Sequence, residues 1–238
     1  MRLSRILAVL TLAAMTLMTA ADISAAPRPD TGEMVPIGDS GFHLDLYEVT
    51  NRQMSAFLND EGNRRIKGVA LVEMTSAHVL IEEIDTVFRA KKGFENHPIM
   101  EVSFDGARSY CEWAGKRLPT EAEWQTACEG PERLTFPWGH HFRTAGPEAL
   151  PRANIFGDTD GFLRTATVGS FPHGRSSYGI WDMGGNVWEW TLGAGDKPRL
   201  RGGSWINGKT LAACAKSVDM GSSHSYVKGN SVGLRCAR

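Results

Sequence analysis

The sequence predicts one α+β domain with little regular secondary structure, carried behind a short apolar leader. Three observations predict it. Two helix-opening capping patterns, Thr50-Asn-Arg-Gln53 and Thr120-Glu-Ala-Glu123, lie in the first half. Beyond Gly130 there are 17 glycines and no run keeps a helical period for three turns, so that half reads as short strands and ordered loops. Cysteines occur in both halves, and cross-links between the halves would tie the tail to the middle of the chain.

Composition sets the outer limits. A chain of 238 residues allows one large domain or two small ones and can bury about 70% of its unfolded surface. The balance of 26 Lys+Arg against 27 Asp+Glu argues against nucleic-acid binding and polybasic membrane adsorption. With 22% charged and 42% hydrophobic residues, the chain is neither disordered nor fibrous.

Residues 1–26 form the leader. Arg2 and Arg5 precede an apolar run from Ile6 to Ala20, and small residues follow at Ala21 and Ser24-Ala25-Ala26, the layout of a secretory signal peptide. As a helix the run would rise about 22 Å, short of a hydrocarbon core of about 30 Å. Cleavage after Ala21 or Ala26 is expected, with no stable membrane span afterwards and a secreted or periplasmic location. No cysteine precedes Cys111, so the cut leaves none to be lipid-modified. In an oxidising compartment Cys111, Cys128, Cys214 and Cys236 are expected to form two disulfides, with three pairings open. None shows the C-x-x-C spacing of a zinc ribbon or thioredoxin-type pair.

The mature elements follow in order. Alternation of Phe42, Leu44 and Leu46 predicts strands over 34–45, and the Thr50 box predicts a helix carrying Met54, Phe57 and Leu58 to a stop at Gly62. The β-branched residues of 66–90 are mixed in period and leave hairpin and helix open, with strands favoured. Ser103 or Asp105 can cap a helix carrying Ala107, Tyr110, Cys111 and Ala114, and the Thr120 box opens one carrying Trp124 and Cys128 to Gly130. Loops on this scale need partners for their backbone groups, so a structural cation is expected.

Six motifs stand in order: Tyr47-Glu-Val-Thr-Asn51, Trp113-Ala-Gly-Lys-Arg-Leu-Pro-Thr-Glu-Ala-Glu-Trp124, Pro137-Trp-Gly139, Gly184-Gly-Asn-Val-Trp-Glu-Trp190, Arg201-Gly-Gly-Ser-Trp205 and Gly233-Leu-Arg-Cys236. Together they resemble the formylglycine-generating enzyme, or sulfatase-modifying factor, family over residues 33–238. The resemblance implies a single C-type-lectin-like α+β domain stabilised by calcium and disulfides, paired Cys111–Cys236 and Cys128–Cys214. It implies two calcium sites: Asn154, the Ile155 carbonyl, Asp160 and the Phe162 carbonyl; and Asp182 with the carbonyls of Met183, Gly185 and Val187. Oxygen ligands of this mixture suit Ca²⁺.

The catalytic apparatus departs from the family. Formylglycine generation, as the resemblance implies it, uses two cysteines after the Arg-Gly-Gly-Ser motif to bind Cu(I), and the matching positions are Asn207 and Ala212. Neither can be a thiolate, so copper is not expected. Trp188 and Ser204, which line the family's oxygen-side pocket, are retained. Glu189 and His224, with Lys228 and Arg235, are candidates for moving protons, although Glu189 also suits a buried structural role between Trp188 and Trp190. His140-His141 reads as a solvated pair and His97 as a hydrogen-bonded loop residue. The isolated early histidines do not match the iron motif of the ergothioneine-type branch.

Two functions compete, with formylglycine-generating, sulfatase-modifying activity as a third alternative. One is an exported oxidoreductase or maturation factor acting on a peptide or peptide-derived substrate, similar to the PvdO-type branch that also lacks the cysteine pair. The other is a non-catalytic binding or accessory module using the polar stretch Asn207 to Lys228, with His224 and Tyr226.

Overall fold

The helices begin where the capping patterns place them. In the computed structural model, which describes residues 31–142, 150–157, 160–221 and 230–238, α1 spans Asn51–Glu61, α2 Phe104–Trp113 and α3 Glu121–Glu129. Thr50 with Gln53 and Thr120 with Glu123 form complete capping boxes, in which each N3 side chain accepts from the cap's own N–H at 2.8 and 2.9 Å. Ser103, not Asp105, caps α2 by accepting from Gly106 N–H at 3.0 Å. Gly62 and Gly130 end α1 and α3 at positive φ. A Cβ on Gly106 would lie 2.2 Å from the Leu71 carbonyl oxygen, so α2 reaches that backbone only as glycine.

The strands are short. β1 (Met34–Pro36) pairs with β2 (His43–Asp45), and the β-branched stretch forms two hairpins, β3 (Arg65–Ile66) with β4 (Val69–Ala70) and β5 (Ile81–Ile84) with β6 (Val87–Ala90). The main sheet has the order β10-β7-β8-β9, formed from β7 (Trp188–Leu192), β8 (Pro198–Arg201), β9 (Ser217–Asp219) and β10 (Val232–Gly233). β10 runs parallel to β7, and the other neighbours are antiparallel. Glycines and turns fill the rest of the second half, as the sequence predicts.

Two main apolar clusters hold these pieces. One joins α1 and α2 to Trp188, Trp190 and Leu200, and the other packs Trp124 of α3 against Ile37, Leu44, Ile180 and Met183. Disulfides Cys111–Cys236 and Cys128–Cys214 fasten α2 to the C-terminal segment and α3 to the loop after β8. All four cysteines are thereby consumed. No helix among the described residues is long and apolar enough to cross a membrane. Residues 1–26, where the sequence predicts a leader, lie outside the described residues.

Candidate functional site

Strand alternation sends the side chains of β7 to two different surroundings. Trp188 and Trp190 enter the first apolar cluster, where the Trp190 indole donates to the Val102 carbonyl at 2.9 Å. Glu189, on the opposite face, is fully buried. Its Oε2 accepts from Arg235 Nε at 2.7 Å and from the Trp124 indole at 2.6 Å, and its Oε1 accepts from Arg235 Nη2 at 2.7 Å. Glu189 takes the buried structural role that its sequence position between Trp188 and Trp190 suits, with a guanidinium and an indole on its two oxygens. Arg235 also donates to the Asp45 and Trp181 carbonyls at 3.0 and 2.8 Å, so it is the hub of the frame.

Two more buried acids surround that hub. Glu48 accepts from Asn186 Nδ2 at 2.6 Å and from Val187 N–H at 3.1 Å, while Asn186 Oδ1 accepts from Ala166 N–H at 2.9 Å and Asn154 Nδ2 at 3.2 Å. Burial pushes the Glu48 carboxyl well above the usual range, and the nearby Asp182 and Glu189 carboxylates add to it. Asp182 accepts from Gly169 N–H at 2.7 Å, and burial raises it to about 6, with Glu189 adding and Arg235 opposing. Arg235 loses some of its preference for charge to burial but regains more from Glu189, Glu48 and Asp182. At the edge of this network Asp45 pairs with buried Lys116 at 2.6 Å, and Lys116 also donates to the carbonyls of Thr31 and Gly32.

The calcium sets implied by the resemblance fit this arrangement unequally. Asp182, at a positive φ of 61°, sits among three buried acids that share one guanidinium, so a hard cation there would neutralise charge that lacks water. Its donor set of one carboxylate with the carbonyls of Met183, Gly185 and Val187 is oxygen only. In the first set Asp160 already accepts from Ile155 N–H at 3.1 Å and Phe162 N–H at 2.9 Å, and Asn154 donates to the Arg164 carbonyl at 2.7 Å. That loop closes on itself through its own acid. Among the described residues no three His, Cys, Asp or Glu side chains gather to hold a metal, so a cation would depend on carbonyl oxygens.

The loop after β8 carries the positions that would hold copper in the family. Ser204 is fully buried, its hydroxyl donates to Asn207 Oδ1 at 2.6 Å, and Asn207 N–H donates back to the Ser204 carbonyl at 2.9 Å. Trp205 N–H binds the Asn186 carbonyl at 2.9 Å, which holds this turn against the start of β7 and so brings the Ser204 and Trp188 segments together. Ala212 is buried in a third apolar cluster with Phe136, Ala153 and Ile155, and the Leu211 carbonyl just before it packs against Gly203 of the same loop. Asn207 and Ala212 thus serve as a turn clamp and as packing. A Cβ on Gly203 would lie 2.9 Å from the Leu211 carbonyl, so the loop folds back closely on glycine.

Beside this loop opens a groove of about 590 Å³, walled by His141, Phe142, Ile155, Phe156 and Lys209. Phe142 stacks edge-on against Phe136 and Trp138, with ring centroids 5.3 and 5.4 Å away, and the Trp138 indole ties down the carbonyls of His141 and Phe142. Phe156 N–H donates to the Asn207 carbonyl at 3.0 Å, yet its ring is 72% exposed. The sequence reading missed this wall; its available signal was an aromatic residue beside a loop glycine at Phe156-Gly157. His97 is half-buried, with Nδ1 3.1 Å from Thr165 Oγ1, and burial lowers its pKa. His140 Nδ1 lies 3.3 Å from Thr135 Oγ1. His224, Tyr226 and Lys228 lie outside the described residues.

Comparison with known proteins agrees with this geometry. Residues 13–238 match the family described as the sulfatase-modifying factor enzyme 1-like domain. The chain is 33% identical over 184 residues to the formylglycine-generating enzyme of Mus musculus, covering 63% of this chain and 48% of that protein. It is 38% identical over 151 residues to the inactive C-alpha-formylglycine-generating enzyme 2 of Bos taurus, covering 59% and 50%. It spans about half the length of these curated relatives. The structure of PvdO from Pseudomonas aeruginosa superposes with a TM-score of 0.61 at 23% identity, covering 83% of this chain and 80% of that one, which shows a shared fold. The chain belongs to the sulfatase-modifying factor, or formylglycine-generating enzyme-like, family.

Proposed function

We propose that this chain is an exported maturation factor that seats a peptide or peptide-derived substrate in the groove beside Phe156 and Lys209, without the thiolate–copper chemistry of formylglycine generation. One observation carries the reading: the loop matching the copper site is built from a Ser204–Asn207 clamp and a buried Ala212, while an open groove lies alongside it. The similarity to a bovine relative named as inactive supports it. The apolar run at 6–20 and two disulfides support export, since disulfides persist in oxidising compartments. In this proposal the frame is C-type-lectin-like, and calcium binds at Asp182 with Met183, Gly185 and Val187, and more weakly at Asn154, Ile155, Asp160 and Phe162. Ser204 supports the groove through the Asn207 clamp, Trp188 is packed in the first apolar cluster, and His224 is the remaining candidate for proton transfer.

The test incubates the purified mature chain with peptides extracted from the exported compartment, with dioxygen as oxidant, and follows oxygen uptake and peptide masses. The expected result is a changed peptide mass that is unaffected by copper chelation. Conversion of cysteine to aldehyde, or loss of activity on chelation, would contradict the proposal. A second reading, a non-catalytic binding module, is favoured by the groove wall itself, whose ionisable groups among the described residues are His141 and Lys209. Saturable capture of a peptide with no change in its mass would select that reading.

A further inference from the structure

We infer that the groove selects an extended peptide segment in which a large apolar side chain is flanked by carboxylates. The inference rests on the groove reading above and adds the class of ligand. The apolar half of the argument is Phe142, Ile155 and Phe156 on the wall, with Ile206 39% exposed next to the Asn207 turn that anchors Phe156. A phenylalanine left 72% exposed over a concave, aromatic-backed wall is a surface that gains by being covered.

The charged half is Lys209, with His141 beside it. They are the ionisable side chains of the described wall, and no carboxylate joins them, although the whole chain carries a net charge of −1. Asp160, the acid of the adjoining loop among the described residues, turns both oxygens onto the N–H groups of Ile155 and Phe162. The local field of the described wall therefore favours anions.

A main chain can also lie close here. Gly157 and Gly208 line the groove, and a Cβ at either would meet nothing within 4 Å, so an extended strand has room to approach both, the Gly208 carbonyl being already bonded to Leu211 N–H.

Three labelled peptides, identical except for the triplets Asp-Phe-Asp, Asn-Phe-Asn and Lys-Phe-Lys, test this by fluorescence anisotropy at low ionic strength. The Asp-flanked peptide should bind about fivefold more tightly than the Lys-flanked one, as expected for one exposed ion pair gained against one repulsion. Added salt should narrow the difference. Lys209→Glu should abolish or invert the preference, and Phe156→Ala should weaken all three peptides; both positions are exposed, so unchanged melting temperatures confirm that the variants fold. Equal or tighter binding of the Lys-flanked peptide, or a preference that survives Lys209→Glu, overturns the inference and leaves the groove reading standing. No saturable binding by any of the three overturns the groove reading together with it.

Discussion

Replacing Arg235 with Met tests the frame at its most heavily bonded point. The guanidinium is fully buried and makes two bonds of 2.7 Å to Glu189, one of 3.0 Å to the Asp45 carbonyl and one of 2.8 Å to the Trp181 carbonyl. Methionine fills much of the volume but strands Glu189 with a single indole partner and removes the cation shared by Glu48 and Asp182. Breaking a buried pair from one side costs about 3–5 kcal/mol, and each orphaned carbonyl adds about 1–3 kcal/mol. Proton uptake by a carboxylate returns part of this, so a net loss of about 4 kcal/mol is expected. That is a large share of a total stability of about 5–15 kcal/mol. Urea unfolding followed by tryptophan fluorescence measures it, since Trp124 and Trp181 both touch the network. The double variant Arg235→Met with Glu189→Gln should lose less than the sum of the single changes, because the amide oxygen still accepts from Trp124 and the stranded charge is gone. A loss below about 1 kcal/mol for Arg235→Met would refute the reasoning.

Two further outcomes follow from the same structure. Asp182 has a folded pKa of about 6, above its unfolded value, so its contribution is full below the unfolded pKa and is lost as pH rises through 6. Glu48 and Asp45 shift in the same direction. The calcium-free protein should therefore melt at a higher temperature at pH 5 than at pH 8, with Asp182 supplying about 1.4 kcal/mol of the difference, and added Ca²⁺ should raise the melting temperature more at pH 8. Equal calcium effects at the two pH values, or a melting temperature that falls with acidification, would count against this. Replacing Cys111 and Cys236 together by Ser removes a bridge across 125 residues and should cost about 5 kcal/mol on the chain-entropy relation, measured by denaturant titration. A loss under about 1 kcal/mol would show that the two segments stay together without it.

The fold was legible where physics is local. Capping boxes at Thr50 and Thr120 and glycine stops at Gly62 and Gly130 depend on neighbours a few residues away, and each appears at its expected position. The 66–90 stretch resolved into two hairpins once the pairing was known. The site was less legible because its chemistry is long-range. Glu189 reads from the sequence as either a proton carrier or a buried structural acid, and Arg235, 46 residues away in sequence, is the partner that fixes it in the frame. Likewise Glu48 lies in a motif quoted for resemblance alone, yet it holds the Asn186 turn across 138 residues. Ala212 gave its loss of function as a thiolate in the sequence, but its place in a separate apolar cluster required the packing.

The most direct measurement is a Cu(I) titration of the mature protein in dioxygen with a cysteine-containing peptide, reading oxygen uptake and aldehyde formation together. With all four cysteines in disulfides and Asn207 clamped to Ser204, the account predicts no copper-dependent oxygen uptake and no aldehyde. Saturable copper-dependent uptake with loss of the peptide thiol would contradict it.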